Sequence, residues 1–417
     1  MASLYVLTCG SAETDFPGFN NTAIQCAVDR VAAAGGGEVH LSAGEFILKD
    51  SVHIKSNVRI TGEGIDRTVL KKNASVQGLT EAFCGFGHHE IIVADSSLFH
   101  VGDGVYIKSD GYYGFHATQT TVREIDGNTL FLADALCSDV HGAHNGRVTT
   151  IFPMIKGVRC EGVTVSDLTL EGNAENNLFL EGCRGGAIYL IGCKSILVDR
   201  VKITDFNGEG FSYQQCRNIH IENSSCCNNR GNGLHPGSGT VGMMIRNCDI
   251  SNNGRAGIHN CLRISYQICC NNRICDNAKE GIEIGHRDDY LEIFDNTISG
   301  NGSEGIFFRV DDCPGMSGRF VSIHNNQIKN NARTKDTAQI YSPASVSGLE
   351  LYNNKIGGPT SFLCDDRLYD SYLWENQCEG ITVCKNDAQA QGYQQESPVT
   401  VRKINIAAIP EKEYRHL

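Results

Sequence analysis

The sequence predicts an all-β chain wound for most of its length into a right-handed parallel β-helix, with an N-terminal capping helix and a small inserted β-rich subdomain. Three observations predict it. A glycine followed by alternating residues recurs at Gly186, Gly210, Gly233, Gly257, Gly281 and Gly305, at intervals of 24, 23, 24, 24 and 24 residues, and a period in that range marks stacked supersecondary units. Each unit carries a second apolar alternation, as in Asn218-Ile-His-Ile, Met243-Met-Ile-Arg and Leu291-Glu-Ile-Phe, followed by a turn rich in asparagine such as Asn228-Asn229, Asn252-Asn253 or Asn325-Asn326. No helical stretch separates these strands, so βαβ units are excluded and the strands must wind as coils.

In such a stack each strand bonds to its equivalent one coil away, and like residues form ladders about 4.8 Å apart. Gly210, Gly233, Gly257, Gly281 and Gly305 are expected in register on one sheet. The buried asparagines are expected to satisfy one another and the turn backbone. Ahead of the coils, Ala23, Ile24, Ala27, Val28, Val31 and Ala32 follow Asn21-Thr22 at helical spacing and stop at Gly35-Gly36-Gly37, which predicts a short amphipathic helix closing the first coil. His88 to Pro153 breaks the period with the pieces Glu90-Ile-Ile-Val, Gly104-Val-Tyr-Ile-Lys and Thr129-Leu-Phe-Leu, and reads as the inserted subdomain. The division is therefore 1–87 for the cap and first coils, 88–153 for the insertion, 154–386 for the main β-helix and 387–417 for a tail.

Composition agrees with this. Among 417 residues, 46 are glycine, 8 are proline and 20% are charged, a balance that suits short strands and tight turns. The formal net charge of −12, with no basic run broken by aromatics, argues against nucleic acid. No apolar stretch approaches the ~18 residues needed to span a bilayer, so no membrane partner is expected. The 19 cysteines are odd in number and include adjacent pairs at Cys226-Cys227 and Cys269-Cys270. They read as reduced thiols packed like small apolar residues, and with no secretory leader at Met1 to Gly10 they suggest a cytoplasmic setting.

Asp15-Phe-Pro-Gly, Gly35-Gly-Gly-Glu-Val, Ala43-Gly-Glu-Phe and Ser56-Asn-Val-Arg-Ile-Thr-Gly-Glu-Gly resemble the opening of the pectate lyase-like β-helix superfamily, shared with phage tailspikes and many glycanases. The glycine-rich coils from about Glu161 to Asn386 resemble its later rungs. The resemblance implies the fold; that superfamily hosts lyases, hydrolases, epimerases and binding proteins, so the reaction has to come from the site. Gly233-Leu-His-Pro-Gly-Ser-Gly is superficially similar to a polygalacturonase segment, but the companion Asn-Thr-Asp and Arg-Ile-Lys segments are absent from the matching coils, and no catalytic residues carry over.

The chemistry is expected on the strand after the repeated glycine. Its first and third residues face the core, so the second and fourth face outward. Down the coils the second positions are Ser212, His235, His259, Glu283 and Phe307; the fourth are Gln214, Gly237, Cys261, Gly285 and Arg309. This predicts an outward stripe of ionisable groups beside small residues, with Gly285 leaving room for a ring. Stacking supplies neighbours at about 4.8 Å, and paired carboxylates for glycoside hydrolysis stand about 5 to 9.5 Å apart. The reading that follows is a carbohydrate-active enzyme acting on a poly- or oligosaccharide by hydrolysis, with Glu283 one catalytic carboxylate, Asp289 or Asp311 the other, and His259 beside them. His235, Arg309, Gln214, Arg263, His286 and Arg287 are the expected substrate-binding groups.

Two alternatives stay open. In a polysaccharide lyase acting on a uronate by β-elimination, His259 and Arg309 would act as base and neutralising cation. In a non-catalytic glycan-binding solenoid, stacked exposed aromatics are expected, and Phe307 alone qualifies in the stripe. No cofactor and no metal are expected for hydrolysis, with calcium the cation to expect in a lyase. The cluster His286-Arg287-Asp288-Asp289 has a second reading as a turn closed by local hydrogen bonds, and oligomeric state is not legible.

Overall fold

A computed structural model describes residues 5–111, 114–310, 317–366 and 368–384. Within them the chain winds as a parallel β-helix whose coils have three faces. The face that follows the repeated glycine is an eleven-stranded sheet running from Val52–His53 through Ile155–Val158, Gly186–Ile191, Glu209–Gln214, Leu234–Gly237, Ile258–His259, Ile282–Ile284 and Ile306–Phe308 to Ile381–Cys384. Every pairing in it is parallel. The other two faces form one 24-stranded sheet, with strands such as Val241–Arg246, Ser265–Cys270 and Asp289–Phe294 on one and Asp249–Ser251, Arg273–Cys275 and Thr297–Ser299 on the other.

Register explains the repeated glycine. Phe211, Leu234, Ile258, Ile282 and Ile306 pair in succession, which aligns Gly210, Gly233, Gly257, Gly281 and Gly305 one residue earlier. A β-carbon on Gly257 would lie 2.7 Å from the Gly281 carbonyl oxygen, and one on Gly281 would lie 2.6 Å from that of Gly305. The corner is closed by backbone against backbone, and only hydrogen fits between. Gly186 is not on this ladder: it pairs with Glu209, and Ile188 with Phe211, so Ala187 takes the equivalent place.

Each Asn-Asn pair divides its labour. The first residue turns the chain in the left-handed region, with φ of +60° at Asn228, +56° at Asn252 and +55° at Asn271, a conformation asparagine tolerates better than most residues. The second points inward and joins a buried file. The Nδ2 of Asn229 donates to Oδ1 of Asn253 at 3.0 Å, Asn253 to Asn277 at 2.9 Å, Asn277 to Asn301 at 3.0 Å and Asn301 to Asn331 at 2.8 Å. A second file runs through Asn272, Asn296, Asn326, Asn354 and Asn376. Between the files lies an aliphatic core in which Ile258, Ile282, Ile284, Ile306 and Phe308 are fully buried.

The helix Asn21–Ala33 covers the N-terminal coil with Ile24, Ala27, Val28 and Val31 turned inward, and its cap is Asn20, whose side chain accepts the Ala23 N–H. After Thr68–Lys72 the chain leaves the coil and rejoins it at Ile155–Val158. The insertion is a six-stranded sheet of antiparallel pairings that begins at Gln77–Leu79, ahead of the break expected at His88, and includes Gly104–Lys108 and Thr118–Asp126. It has its own core around Ile91, Val105, Ile107, Val122 and Leu130. It leans on the coils through Tyr106, Ile151 and Phe152, which join the main core, and through Thr121, whose hydroxyl donates to Asp50 at 2.6 Å.

Candidate active site

Stacking brings the stripe together as a file. Ser212 pairs with His235, His259 with Glu283, Glu283 with Phe307 and Phe307 with Tyr341. The rings of His235 and His259 meet edge to face with centroids 4.7 Å apart. These side chains do point away from the aliphatic core, but the N-terminal half of the file is not open. The segment 172–185 folds back over it: the Ser212 hydroxyl donates to the Cys183 carbonyl at 2.6 Å, and Leu180, fully buried, anchors the loop. The insertion holds that loop from outside, Arg184 donating to the Ala117 carbonyl at 3.0 Å and Gln119 to the Arg184 carbonyl at 3.0 Å.

The expected open stripe is therefore corrected for its first coils. Ser212 and Gln214 are fully buried and His235 is 5% exposed; Gln214 spends its amide on the Ser212 hydroxyl and the His235 carbonyl. Exposure begins at His259 and Glu283, whose side chains are 18% and 14% accessible. His259 Nδ1 bonds Glu283 Oε2. Burial works against the charge of Glu283, but His259 first and then Arg309 outweigh it and hold the carboxyl below the usual range. Burial likewise disfavours the charged His259 ring, and its contacts with Cys261 and Glu283 reverse the balance.

Arg309 reaches back across two coils. Its Nη2 donates to the Asn260 carbonyl at 2.7 Å and to the Cys261 carbonyl. A β-carbon on Gly285 would lie 1.9 Å from that Nη2, so the space freed by the glycine is filled by Arg309 and does not receive a sugar ring. That corrects the expectation for Gly285.

Asp289, one of the two carboxylates expected opposite Glu283, is not beside it. Asp288 accepts the N–H of Gly285 at 2.6 Å and of Ile264 at 3.0 Å, turning the chain before strand alternation can continue. Asp289 then begins a strand on the next face, paired with Arg319 at 2.6 Å. Arg263 and Arg287 are exposed at the same corner with φ of +52° and +58°, and His286 bridges to Leu262; these three rim the corner and do not line the file. Asp311 lies outside the described residues. Asp365 and Asp366 accept the hydroxyls of Tyr341 and Ser345 at 2.7 and 2.6 Å.

Three groups were missed. Glu209 is 1% exposed, accepts the Asn232 N–H at 2.7 Å and lies 3.7 Å from His235 Nδ1. Burial opposes its charge, yet His235 and then His259 keep its carboxyl low. Glu280 is half-buried and shifted upward, by burial first and the Glu283 charge next. Cys183, in the covering loop, sits with its sulfur 4.0 Å from His235 Nε2. A Glu-Gly pair recurring at Glu209-Gly210, Glu280-Gly281 and Glu304-Gly305 was the legible signal for the first two; Cys183 had none, since nothing local tells where its loop lands.

Coils, ladders and capping helix define the class: the chain is a right-handed parallel β-helix protein. The family model described as a right handed beta helix region matches residues 155–313. The chain is 33% identical over 105 residues to mannuronan C5-epimerase AlgE1 of Azotobacter vinelandii, covering 22% of this chain and 8% of that protein. It is 30% identical over 115 residues to alginate lyase 7 of the same organism, covering 25% and 13%. Less than two thirds of either relative is thus spanned. Among solved structures, the Streptococcus pneumoniae surface adhesin PfbA superposes with a TM-score of 0.50 at 14% identity, over 90% of this chain and 91% of that one, a likeness of fold.

Proposed function

We propose that this chain is a polysaccharide-modifying enzyme that removes the proton next to the carboxylate of a uronate, with β-elimination as the outcome. The observation that carries the reading is the constellation at the uncovered end of the file: His259 bonded to Glu283, with the Arg309 guanidinium folded back beside Gly285 and the Cys261 carbonyl. Hydrolysis by the pair Glu283 and Asp289 loses its support, because Asp289 faces a different side of the coil and is engaged by Arg319. Relatives named as a mannuronan C5-epimerase and an alginate lyase support a uronate as substrate. Both reactions begin with loss of the C5 proton. In elimination the C5–H pair then forms the C4=C5 double bond as the C4–O bond breaks and the leaving oxygen takes a proton; in epimerisation a proton returns on the opposite face.

In this reading the His259–Glu283 pair accepts the proton, the positive charge of Arg309 offsets the negative charge that builds on the carboxylate side, and the upward-shifted Glu280 is the nearby proton donor. No organic cofactor is required. The test is digestion of alginate, pectate and neutral glycans with simultaneous readout of reducing ends, unsaturated-uronate absorbance and proton NMR. Absorbance rising with reducing ends is expected. Reducing ends alone would restore hydrolysis, and an NMR change without cleavage would assign epimerisation; binding without turnover would make the solenoid an adhesin. Glu283→Gln and His259→Ala are expected to lower turnover at least ~100-fold.

A further inference from the structure

Beneath the open end of the file, four groups from successive turns of the chain converge: Cys183 from the covering loop, His235 and Cys261 from adjacent coils, and Glu209 behind His235. One ligand atom from each of Cys183, His235 and Cys261 lies within 4.8 Å of the others. Among the described residues this is the place where such atoms gather. The sulfurs and ring nitrogen of a tetrahedral zinc site with two thiolates stand roughly 3.6 Å apart, from bond lengths of about 2.3 and 2.0 Å. His235 Nε2 and Cys183 Sγ, at 4.0 Å, need to close by only a few tenths of an ångström.

The histidine is set up from behind. His235 is 5% exposed, and its Nδ1 is buried without a hydrogen-bond partner, facing Glu209 Oε1 at 3.7 Å, while Nε2 is aimed at the thiols. Glu209 is itself held by the Asn232 N–H. A ring with one nitrogen toward a carboxylate and the other toward sulfur is the orientation that metal-bound histidines take. Cys160, Cys193 and Cys216 are buried and donate to backbone carbonyls, whereas Cys183 and Cys261 lie outside the core, half-buried, beside imidazoles.

We propose that Cys183, His235 and Cys261 bind a borderline-soft divalent cation of the zinc class, oriented by Glu209. The His259 ring, edge to face with His235, lies beside it. Binding releases the two thiol protons to solvent, forms two metal–sulfur bonds and one metal–nitrogen bond, and oxidises nothing. The site fastens the loop 172–185 to the coil stack directly under the reactive end of the file. It is independent of the uronate reading, and its readout is not activity.

The test uses the full chain purified under reducing conditions without chelator or immobilised metal. Elemental analysis is expected to give about one zinc per chain, and cobalt(II) substitution to give a sulfur-to-metal charge-transfer band with intense visible bands of a tetrahedral site. Cys183→Ser and Cys261→Ser are expected to abolish the charge-transfer band or halve it, Glu209→Gln to weaken metal binding about 10- to 100-fold, and Cys378→Ser, at an exposed position, to change nothing. Circular dichroism of each variant separates lost binding from lost folding. A metal-free protein that takes up no cobalt, a Cys183–Cys261 disulfide peptide in the non-reduced digest, or a Cys183→Ser chain that folds and keeps the full band would overturn the proposal.

Discussion

Asp50 and His53 occupy the seam between coil and insertion, and their proton equilibria pull in opposite directions. Asp50 is 8% exposed and accepts from Thr121 and the Ser51 N–H; burial pushes its carboxyl up to about 6, with Lys156 and Arg123 opposing. Burial pulls His53 down to about 4, helped by Lys156, Lys55 and Arg123 and opposed by Asp134. A carboxyl raised in the fold binds protons that the unfolded chain has released, so its contribution to stability falls as pH rises from ~4 to about 6. A histidine lowered in the fold does the reverse: its contribution is complete above ~6.5 and is lost as pH falls toward 4. The two limbs, each on the order of 3 kcal/mol, largely cancel. Urea titrations from pH 4 to 7 are expected to show a rising slope in Asp50→Asn and a falling one in His53→Gln; parallel curves for both variants would refute the pairing. At this scale the sequence was informative where alternation persists, as at His259 and Glu283, and misleading past Gly285, where the Asp288 carboxylate bends the chain and moves Asp289 to another face.

The coil corner is the element on which everything else depends. Asn277 accepts both the backbone and side-chain N–H of Asn253 and donates to Asn301 and the Ile250 carbonyl. Asn277→Ala leaves several buried polar groups without partners, at about 1–3 kcal/mol each, so a loss of at least ~2 kcal/mol in chemical denaturation is expected. Gly281→Ala introduces a methyl 2.6 Å from a carbonyl oxygen, and overpacking of this kind costs about 1–3 kcal/mol. Stability within ~0.5 kcal/mol of the parent for both would show that the corner is looser than its contacts. The glycine and asparagine ladders were legible because five successive coils hold a step of 23 or 24 residues. The aromatic ladders were not: Phe294, His324, Tyr352 and Trp374 stack at 4.9, 4.7 and 4.1 Å, but the later coils step by 30, 28 and 22 residues, which hides the repeat. Their ring faces lie against one another, so the ladder offers edges, and few faces, to a sugar.

For the whole molecule, contacts between neighbouring coils mean that length can change only in complete turns. Deleting residues 249–272 joins Cys248 to Arg273, the residue in register with Asp249, and the shortened chain is expected to keep a β-type circular dichroism spectrum and a cooperative melt at lower temperature. Deleting only 249–260 breaks every ladder at once, and folded soluble protein is not expected; equal behaviour of the two deletions would argue against in-register stacking as the source of stability. The insertion, with a core of its own, was visible only as a break in the period, since its landing place on the segment 172–185 depends on contacts between residues far apart in the chain. The asparagine files also give the molecule an electrical direction. Each linking amide passes one N–H to the asparagine oxygen of the next coil toward the C-terminus, and in the inner links the second N–H returns to a backbone carbonyl of the coil before, so the side-chain carbonyls all point the same way along the axis and polarise one another. At the N-terminal end a leading oxygen needs a donor, which the Phe206 and Cys248 N–H groups supply. At the other end a trailing N–H needs an acceptor, and Gln339 closes the first file by accepting from Asn331 and returning its own N–H to the Asn331 carbonyl. The two ends of the solenoid are therefore not interchangeable, and a cap fitted to one would present the wrong half of its amide to the other.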